Sequence, residues 1–214
     1  LNCYNFFFKT IMAQPVVQLG KVAPLLDVKL DAVVNGSEIS QIALSDYTKA
    51  GKWVALAFFP LCFTFVCETE LMEFQNQREA FEAAGVQVVG CSVDSVYCLN
   101  AWLDVAPKKG GIQGVEYPIV SDLTHKIGLA YNCLMDSGHH SRCTILIDPT
   151  GTVRAIYQQD PPAGRNVSEI LRVVEAYKFA EESGGVCPAR WTKTNNATIT
   201  PDPKGKLEYF DKAY

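Results

Sequence analysis

Within the stretch Pro60-Leu61-Cys62-Phe63-Thr64-Phe65-Val66-Cys67, the chain sets a threonine three positions before a cysteine. The stretch follows directly on the apolar run Trp53 to Phe59. After Cys67 come Glu68, Thr69, Glu70, Leu71, Met72, Glu73 and Phe74, a composition suited to helix. A buried strand thus feeds a helix whose first turn carries a thiol, with a hydroxyl just upstream. Helix N-termini favour negative charge, so such a thiol can be held as thiolate, the nucleophilic form of cysteine.

The magnitudes show what else that requires. A thiol with the usual pKa of about 8.5 is only a few per cent ionised at neutral pH. Bringing such a group to roughly 6 takes about 3.4 kcal/mol at about 1.36 kcal/mol per unit. A helix N-terminus supplies about 0.3–1 kcal/mol, and up to about 2 in a partly buried setting. A cation and a hydrogen bond to sulfur must supply the rest. Thr64 can give the hydrogen bond. Arg142, which opens the apolar strand Thr144 to Ile147, is the candidate cation, and Glu70 can orient it. Local spacing alone favours a solvent-paired loop residue for Arg142, and describes Glu70 equally as a solvated first-turn glutamate.

The elements that must position these groups follow from hydrophobic periodicity. Leu25 to Val34 alternates and ends at the hairpin signal Asn35-Gly36. Lys52 to Phe59 and Val86 to Val93 read as fully buried strands, with a helix from Phe65 to Ala84 between them, stopped by Gly85. A helix over Ser95 to Val105, a short strand over Tyr117 to Ser121 and a short helix over Leu123 to Tyr131 come next. Thr144 to Ile147 and Val153 to Gln158 flank the turn Asp148-Pro149-Thr150-Gly151. Asn166 or Ser168 then caps a long amphipathic helix carrying Ile170, Leu171, Val174 and Tyr177. Alternating strands and helices predict an α/β fold with a mixed central sheet flanked by helices, in the order of a thioredoxin-like core. From Gly184 the chain turns polar and proline-containing, which predicts an extended C-terminal tail with a short helix near Leu207 to Tyr214.

Composition excludes several function classes. The 214 residues are 48% hydrophobic and 20% charged with a net charge of -4, and no basic patch marks a nucleic-acid or anionic-membrane surface. No run of apolar residues reaches the length of a membrane span. Eight cysteines (3, 62, 67, 91, 98, 133, 143 and 187) are dispersed without a Cys-x-x-Cys pair. That spacing argues against a disulfide scaffold, a structural zinc site and a dithiol motif, and fits a reducing compartment such as the cytoplasm. Cys91 and Cys143 read as small buried hydrophobes, and the pair His139-His140 as an exposed loop. Met12-Ala13 reads as a start, which makes Leu1 to Ile11 a leader fragment or an upstream extension with no fold role.

Pro60-x-x-x-Thr64-x-x-Cys67 followed by Glu68-Thr69-Glu70 resembles the active-site signature of the peroxiredoxins, the thiol-dependent peroxidases. Ser92-Val93-Asp94-Ser95, Ala101-Trp102, Arg142 ahead of Ile145-Leu146-Ile147-Asp148-Pro149, and Val186-Cys187-Pro188-Ala189-x-Trp191 agree with it. The last group looks like the resolving-cysteine segment of the typical two-cysteine subgroup. The resemblance implies that Cys67 is the peroxidatic nucleophile and that Thr64 hydrogen-bonds its sulfur and the peroxide. Pro60 would shield the sulfenate, Arg142 would hold the thiolate and polarise the O–O bond, and Glu70 would position that arginine. Cys187 of a partner subunit would resolve the sulfenate as an intersubunit disulfide, reduced by a thioredoxin-like donor. No metal or organic cofactor enters. The implied organisation is an N-terminal extension over 1–13, a thioredoxin-like peroxidase domain over 14–183 and a C-terminal arm over 184–214, assembled as a homodimer or a ring of dimers. Two other readings stand beside it: a thioredoxin-fold holdase or peroxide sensor, and a cysteine hydrolase pairing Cys67 with one of His125, His139 and His140.

The chain also departs from that signature. Cys62, Glu68 and Phe59 stand where the family usually has Asp, Pro and often Tyr, and Gln113 replaces the last glycine of the Gly-Gly-Leu-Gly loop in Gly110-Gly111-Ile112-Gln113-Gly114. Tyr209-Phe210 matches the family's C-terminal pair, which together with that loop implies sensitivity to overoxidation. A glutamate beside the thiol opposes its ionisation. Replacing Glu68→Pro is therefore expected to let Cys67 ionise more readily, read as thiolate absorbance against pH in both proteins. An unchanged or weaker ionisation in the variant contradicts this.

Overall fold

The computed structural model describes residues 16–214. A seven-stranded mixed sheet of order β2-β1-β5-β4-β3-β6-β7 forms its centre. Its strands are β1 (Leu30–Val34), β2 (Glu38–Ile42), β3 (Trp53–Phe58), β4 (Val86–Ser92), β5 (Ile119–Ser121), β6 (Arg142–Ile147) and β7 (Val153–Gln159). β3 pairs parallel with β4 and antiparallel with β6. The helices are α1 (Leu44–Lys49), α2 (Cys67–Asn76), α3 (Arg78–Ala83), α4 (Val96–Leu103), α5 (Lys126–Ala130), α6 (Val167–Ser183) and α7 (Gly205–Ala213).

The unbroken apolar run of β3 has a direct cause. Trp53, Ala55 and Ala57 face one core, shared with Leu71 and Phe74 of α2, Trp102 of α4 and Val174 of α6. Val54, Leu56 and Phe58 face a second core, with Leu44 of α1 and with Ile127 and Tyr131 at α5. A strand covered on both faces needs no polar alternation. β3 therefore ends as a fixed platform, and the chain leaves it at the buried Phe59 and Pro60 to reach α2.

Three expectations shift in detail. The helix expected over Phe65 to Ala84 is two helices, because Gln77 leaves helical geometry (φ -96°, ψ 7°) and closes α2 with its N–H on Glu73. Arg142 opens the strand as expected, but as the first residue of β6 itself, paired with Gln159 of β7, so β6 begins two residues before Thr144. The tail does not simply trail away. Val186 bridges Ile199, and Trp191 is buried against Phe179 of α6, with Arg172 donating to its carbonyl. The remaining boundaries move by a few residues, and the turn residues Asn35 and Gly36 take the positive φ that a tight hairpin requires. The reading of 1–13 as an extension lies outside the described residues.

The loop after α4 is held close to the helix. Trp102 Nε1 donates to the Gly110 carbonyl at 2.8 Å, and Ile112 N–H donates back to the Trp102 carbonyl. Trp102 also packs on Phe59 and Phe63, on either side of the turn that leads to Cys67. A Cβ on Gly111 would lie 1.9 Å from the Val105 carbonyl oxygen, so the backbone would have to move. Gly111→Ala is expected to destabilise the fold by about 1–3 kcal/mol, the usual cost of overpacking, read as a lowered urea midpoint.

Candidate functional site

Cys67 is the first residue of α2, and Val66 before it gives no side-chain cap. Cys67 is 1% exposed, and its sulfur receives two side-chain hydrogen-bond contacts. Thr64 Oγ1 lies 3.1 Å from Cys67 Sγ and 3.0 Å from the Leu61 carbonyl. The hydroxyl has one proton, and a thiolate competes for it better than a carbonyl does. Arg142 reaches across from β6 with Nη1 3.5 Å from Sγ.

The same Nη1 is 2.7 Å from Glu70 Oε2, and the Arg142 Nε donates to the Pro161 carbonyl. Glu70 sits one turn along α2 and is 3% exposed. Its carboxylate is also gripped by Arg165, which donates from its backbone N–H and Nε to Oε1 and from Nη2 to Oε2, all within 2.9 Å. Arg165 fixes itself on the Cys143 carbonyl and Thr144 Oγ1 of β6. Burial alone would raise the Glu70 pKa, but the bonds and charge of Arg165, with Arg142 behind it, outweigh burial and hold the carboxyl below its ordinary range.

One carboxylate shared by two guanidiniums leaves a single net positive charge beside the sulfur. A thiolate at Cys67 brings the cluster to neutrality. Arg142 Nη1 and Thr64 Oγ1 are the cation and the hydrogen-bond donor that the helix end alone does not supply to the sulfur. Arg142 itself is pushed up against the effect of burial, its bond to Cys67 and the charge of Glu70 outweighing the desolvation.

Other thiols are set the opposite way. Burial pushes Cys62, Cys91 and Cys133 well up and Cys143 up to about 12, which leaves them protonated and packed. Among the described residues, Cys67 is the one thiol that accepts from a guanidinium. A pocket of about 320 Å³ opens onto it, lined by Pro60, Thr64, Phe65, His139, Arg142 and Pro161. It is small and largely apolar in lining, suited to a compact substrate. The larger cavity beside Leu30 and Tyr97 does not touch Cys67.

The structure therefore brings Cys67, Thr64, Arg142, Glu70 and Pro60 together. It does not bring Cys187 to them within one chain. Cys187 Sγ lies 3.3 Å from the Ala176 carbonyl of α6, in a separate pocket with Arg172, Val173 and Pro188. Sequence reasoning missed Arg165, which stands just ahead of the α6 cap Asn166 and carries no local signal of its partner 95 residues away.

The pair His139-His140 is not an exposed loop. His140 is fully buried with Nε2 3.0 Å from Asp122 Oδ2, because Asp122 is already fixed by the Ile127 and Gly128 N–H groups. His139 borders the pocket but spends its ring nitrogens on Ser137 Oγ and the His140 carbonyl, each at 3.1 Å. Neither is poised as a base on Cys67. Glu68 turns toward Gly110, with Oε2 buried and without a hydrogen-bond partner. Tyr209 and Phe210 of α7 meet edge to face, and that helix lines a pocket with Ala197, Thr198 and Thr200 of its own arm. Among the described residues no hydrogen bond joins α7 to α2.

Comparison with known proteins agrees with this geometry. The model of the AhpC/TSA family matches residues 19–156. Peroxiredoxin-4 of Dictyostelium discoideum is 44% identical over 208 residues, covering 97% of this chain and 77% of that protein. The mitochondrial thioredoxin-dependent peroxide reductase of Drosophila melanogaster is 41% identical over 200 residues, 92% of this chain and 84% of that one. The chain spans 65–66% of the length of the mammalian peroxiredoxin-4 proteins it matches. The reduced 2-Cys peroxiredoxin of Plasmodium vivax superposes with a TM-score of 0.86 at 35% identity, covering 91% of this chain and 99% of that one. A thioredoxin-like sheet, a cysteine at the start of α2 and these relatives lead to one conclusion: the chain belongs to the peroxiredoxins of the AhpC/TSA family.

Proposed function

We propose that the chain is a thiol-dependent peroxidase that reduces hydrogen peroxide and organic hydroperoxides through Cys67. The single observation that carries this reading is the Arg142 guanidinium shared between Cys67 Sγ and the buried Glu70 carboxylate. In the first step the Cys67 thiolate attacks the terminal peroxide oxygen. The O–O bond breaks, sulfur becomes sulfenic acid, and the alkoxide or hydroxide leaves and takes a proton. Arg142 Nη1 and Thr64 Oγ1 converge on the sulfur, where they can also steady the developing charge on the oxygens. Pro60 closes the pocket wall and limits water at the sulfenate.

In the second step a Cys187 thiol condenses with the sulfenic acid and releases water. Cys187 sits apart from Cys67 in its own chain, which favours resolution by the Cys187 of another copy in a homodimer, of which a decamer would be a ring. A dithiol of thioredoxin type then reduces the disulfide by exchange. The Drosophila relative's name, a thioredoxin-dependent peroxide reductase, supports that donor. The reading carries antioxidant defence as its role. Cysteine usage fits the cytoplasm, mitochondrial forms occur among the relatives, and residues 1–11 leave room for a leader. No metal or organic cofactor is required for this cycle.

Non-reducing electrophoresis after one equivalent of peroxide tests the cycle. A disulfide-linked dimer is expected in the wild type and in neither Cys67→Ser nor Cys187→Ser. Cys187→Ser should still consume the first equivalent, whereas Cys67→Ser should consume none. Peroxide consumption undiminished by Cys67→Ser would leave a scaffold or sensor role instead.

The Glu70 clamp also fixes a pH dependence. A carboxylate held below its ordinary value contributes stability that is fully present above about pH 4.3 and is lost as pH falls through the lower folded value. Glu70→Gln is expected to lose about 3–5 kcal/mol at pH 7, the cost of breaking a buried pair. The gap to the wild type should narrow as the pH drops below about 4, read from urea midpoints at both pH values.

A further inference from the structure

The segment that leads to Cys67 passes a second sulfur cluster that the peroxidase chemistry does not use. Cys62 lies in that segment, Asp94 in the connection after β4, and Cys98 in the first turn of α4. Each offers one ligand atom, and the three atoms lie within 4.8 Å of one another. Cys98 Sγ is 3.6 Å from Asp94 Oδ1. Asp94 is held in place by other bonds. Its Oδ2 accepts from the Cys62 N–H and from Ser92 Oγ, each at 2.9 Å, and its own N–H bonds Ser92 Oγ. Oδ1 is left facing the thiols.

One edge of that arrangement has the dimension of a coordination shell. Tetrahedral zinc has Zn–S of about 2.3 Å and Zn–O of about 2.0–2.2 Å, which separates neighbouring ligand atoms by roughly 3.5–3.8 Å. The Cys98–Asp94 separation is of that size. The backbone N–H and the serine hydroxyl on Oδ2 are the outer hydrogen bonds that orient a ligating carboxylate. Cys62 is buried and Cys98 half-buried.

We propose that Cys62, Asp94 and Cys98 form a binding site for a thiophilic divalent cation of the zinc class, with water as the fourth ligand. Loading releases one proton from each thiol, and the cation ties the segment carrying Cys67 to α4. Sequence spacing concealed the site because its ligands lie on two segments about 30 residues apart.

The test uses the full chain with Cys67→Ser and Cys187→Ser, which removes the redox thiols, kept reduced by a thiol-free phosphine. Cobalt(II) should bind at one equivalent with thiolate charge-transfer and tetrahedral d–d bands, and zinc should displace it. Adding Cys62→Ser or Cys98→Ser should weaken binding about ten-fold or more and diminish the charge-transfer band. X-ray absorption on the zinc-loaded parent, which needs no further variant, should show two sulfurs at about 2.3 Å. A parent with no thiolate band, a zinc shell without sulfur, or binding unchanged in both added variants overturns the proposal. So does finding Cys62 and Cys98 joined as a disulfide in protein isolated without reductant, if the reduced form takes up no cobalt.

Discussion

The site depends on one buried carboxylate shared by two guanidiniums. Glu70 is 3% exposed on α2 and is bonded by Arg142 from β6 and Arg165 from the entry to α6. Isolated, that carboxylate would be costly to bury, and so would either arginine. Together the three leave one positive charge, and the group nearest to complete the balance is the sulfur of Cys67. A buried ion pair is weak evidence for stability, since apolar residues of similar size can replace it without loss. Its value here lies in direction. Nη1 of Arg142 is fixed by Glu70 and Nε by the Pro161 carbonyl, so the guanidinium cannot turn away from Sγ.

The scaffold exists to bring three distant stretches to that point. β3 is buried on both faces and paired on both edges, and α2 starts from its end after a short turn. β6 is the antiparallel neighbour of β3, and this pairing carries Arg142 to the same end of the sheet. Trp102 secures the turn from the other side by packing on Phe59 and Phe63. Phe63 takes a positive φ, a conformation a bulky residue adopts only when its surroundings hold it there.

Much of this was legible in the sequence because the signals were local. Thr64 and Cys67 are three residues apart, β3 is an unbroken apolar run, and Asn166, one of two cap candidates, caps α6. Arg142 could be named as a cation at the start of β6, but its neighbours alone could not tell a strand residue from a solvent-paired loop residue. Arg165 could not be found at all, because its partner is set by the packing of α6 on α2. His140 misled for the same reason: it is buried against Asp122, a residue of another loop. Cys62, Asp94 and Cys98 were scattered in sequence and adjacent in space, where the rule of nearby cysteine pairs has no reach.

The central claim is that the clamped Arg142 makes Cys67 reactive. Its most direct test is the second-order rate of Cys67 sulfenate formation, trapped by rapid quench and read by mass spectrometry. Arg142→Ala is compared with the parent, both carrying Cys187→Ser so that no disulfide follows, with circular dichroism confirming the fold. Loss of one preorganised charge-assisted donor predicts a rate lower by about 10²–10³-fold. A folded Arg142→Ala protein that oxidises at the parent's rate would contradict the account.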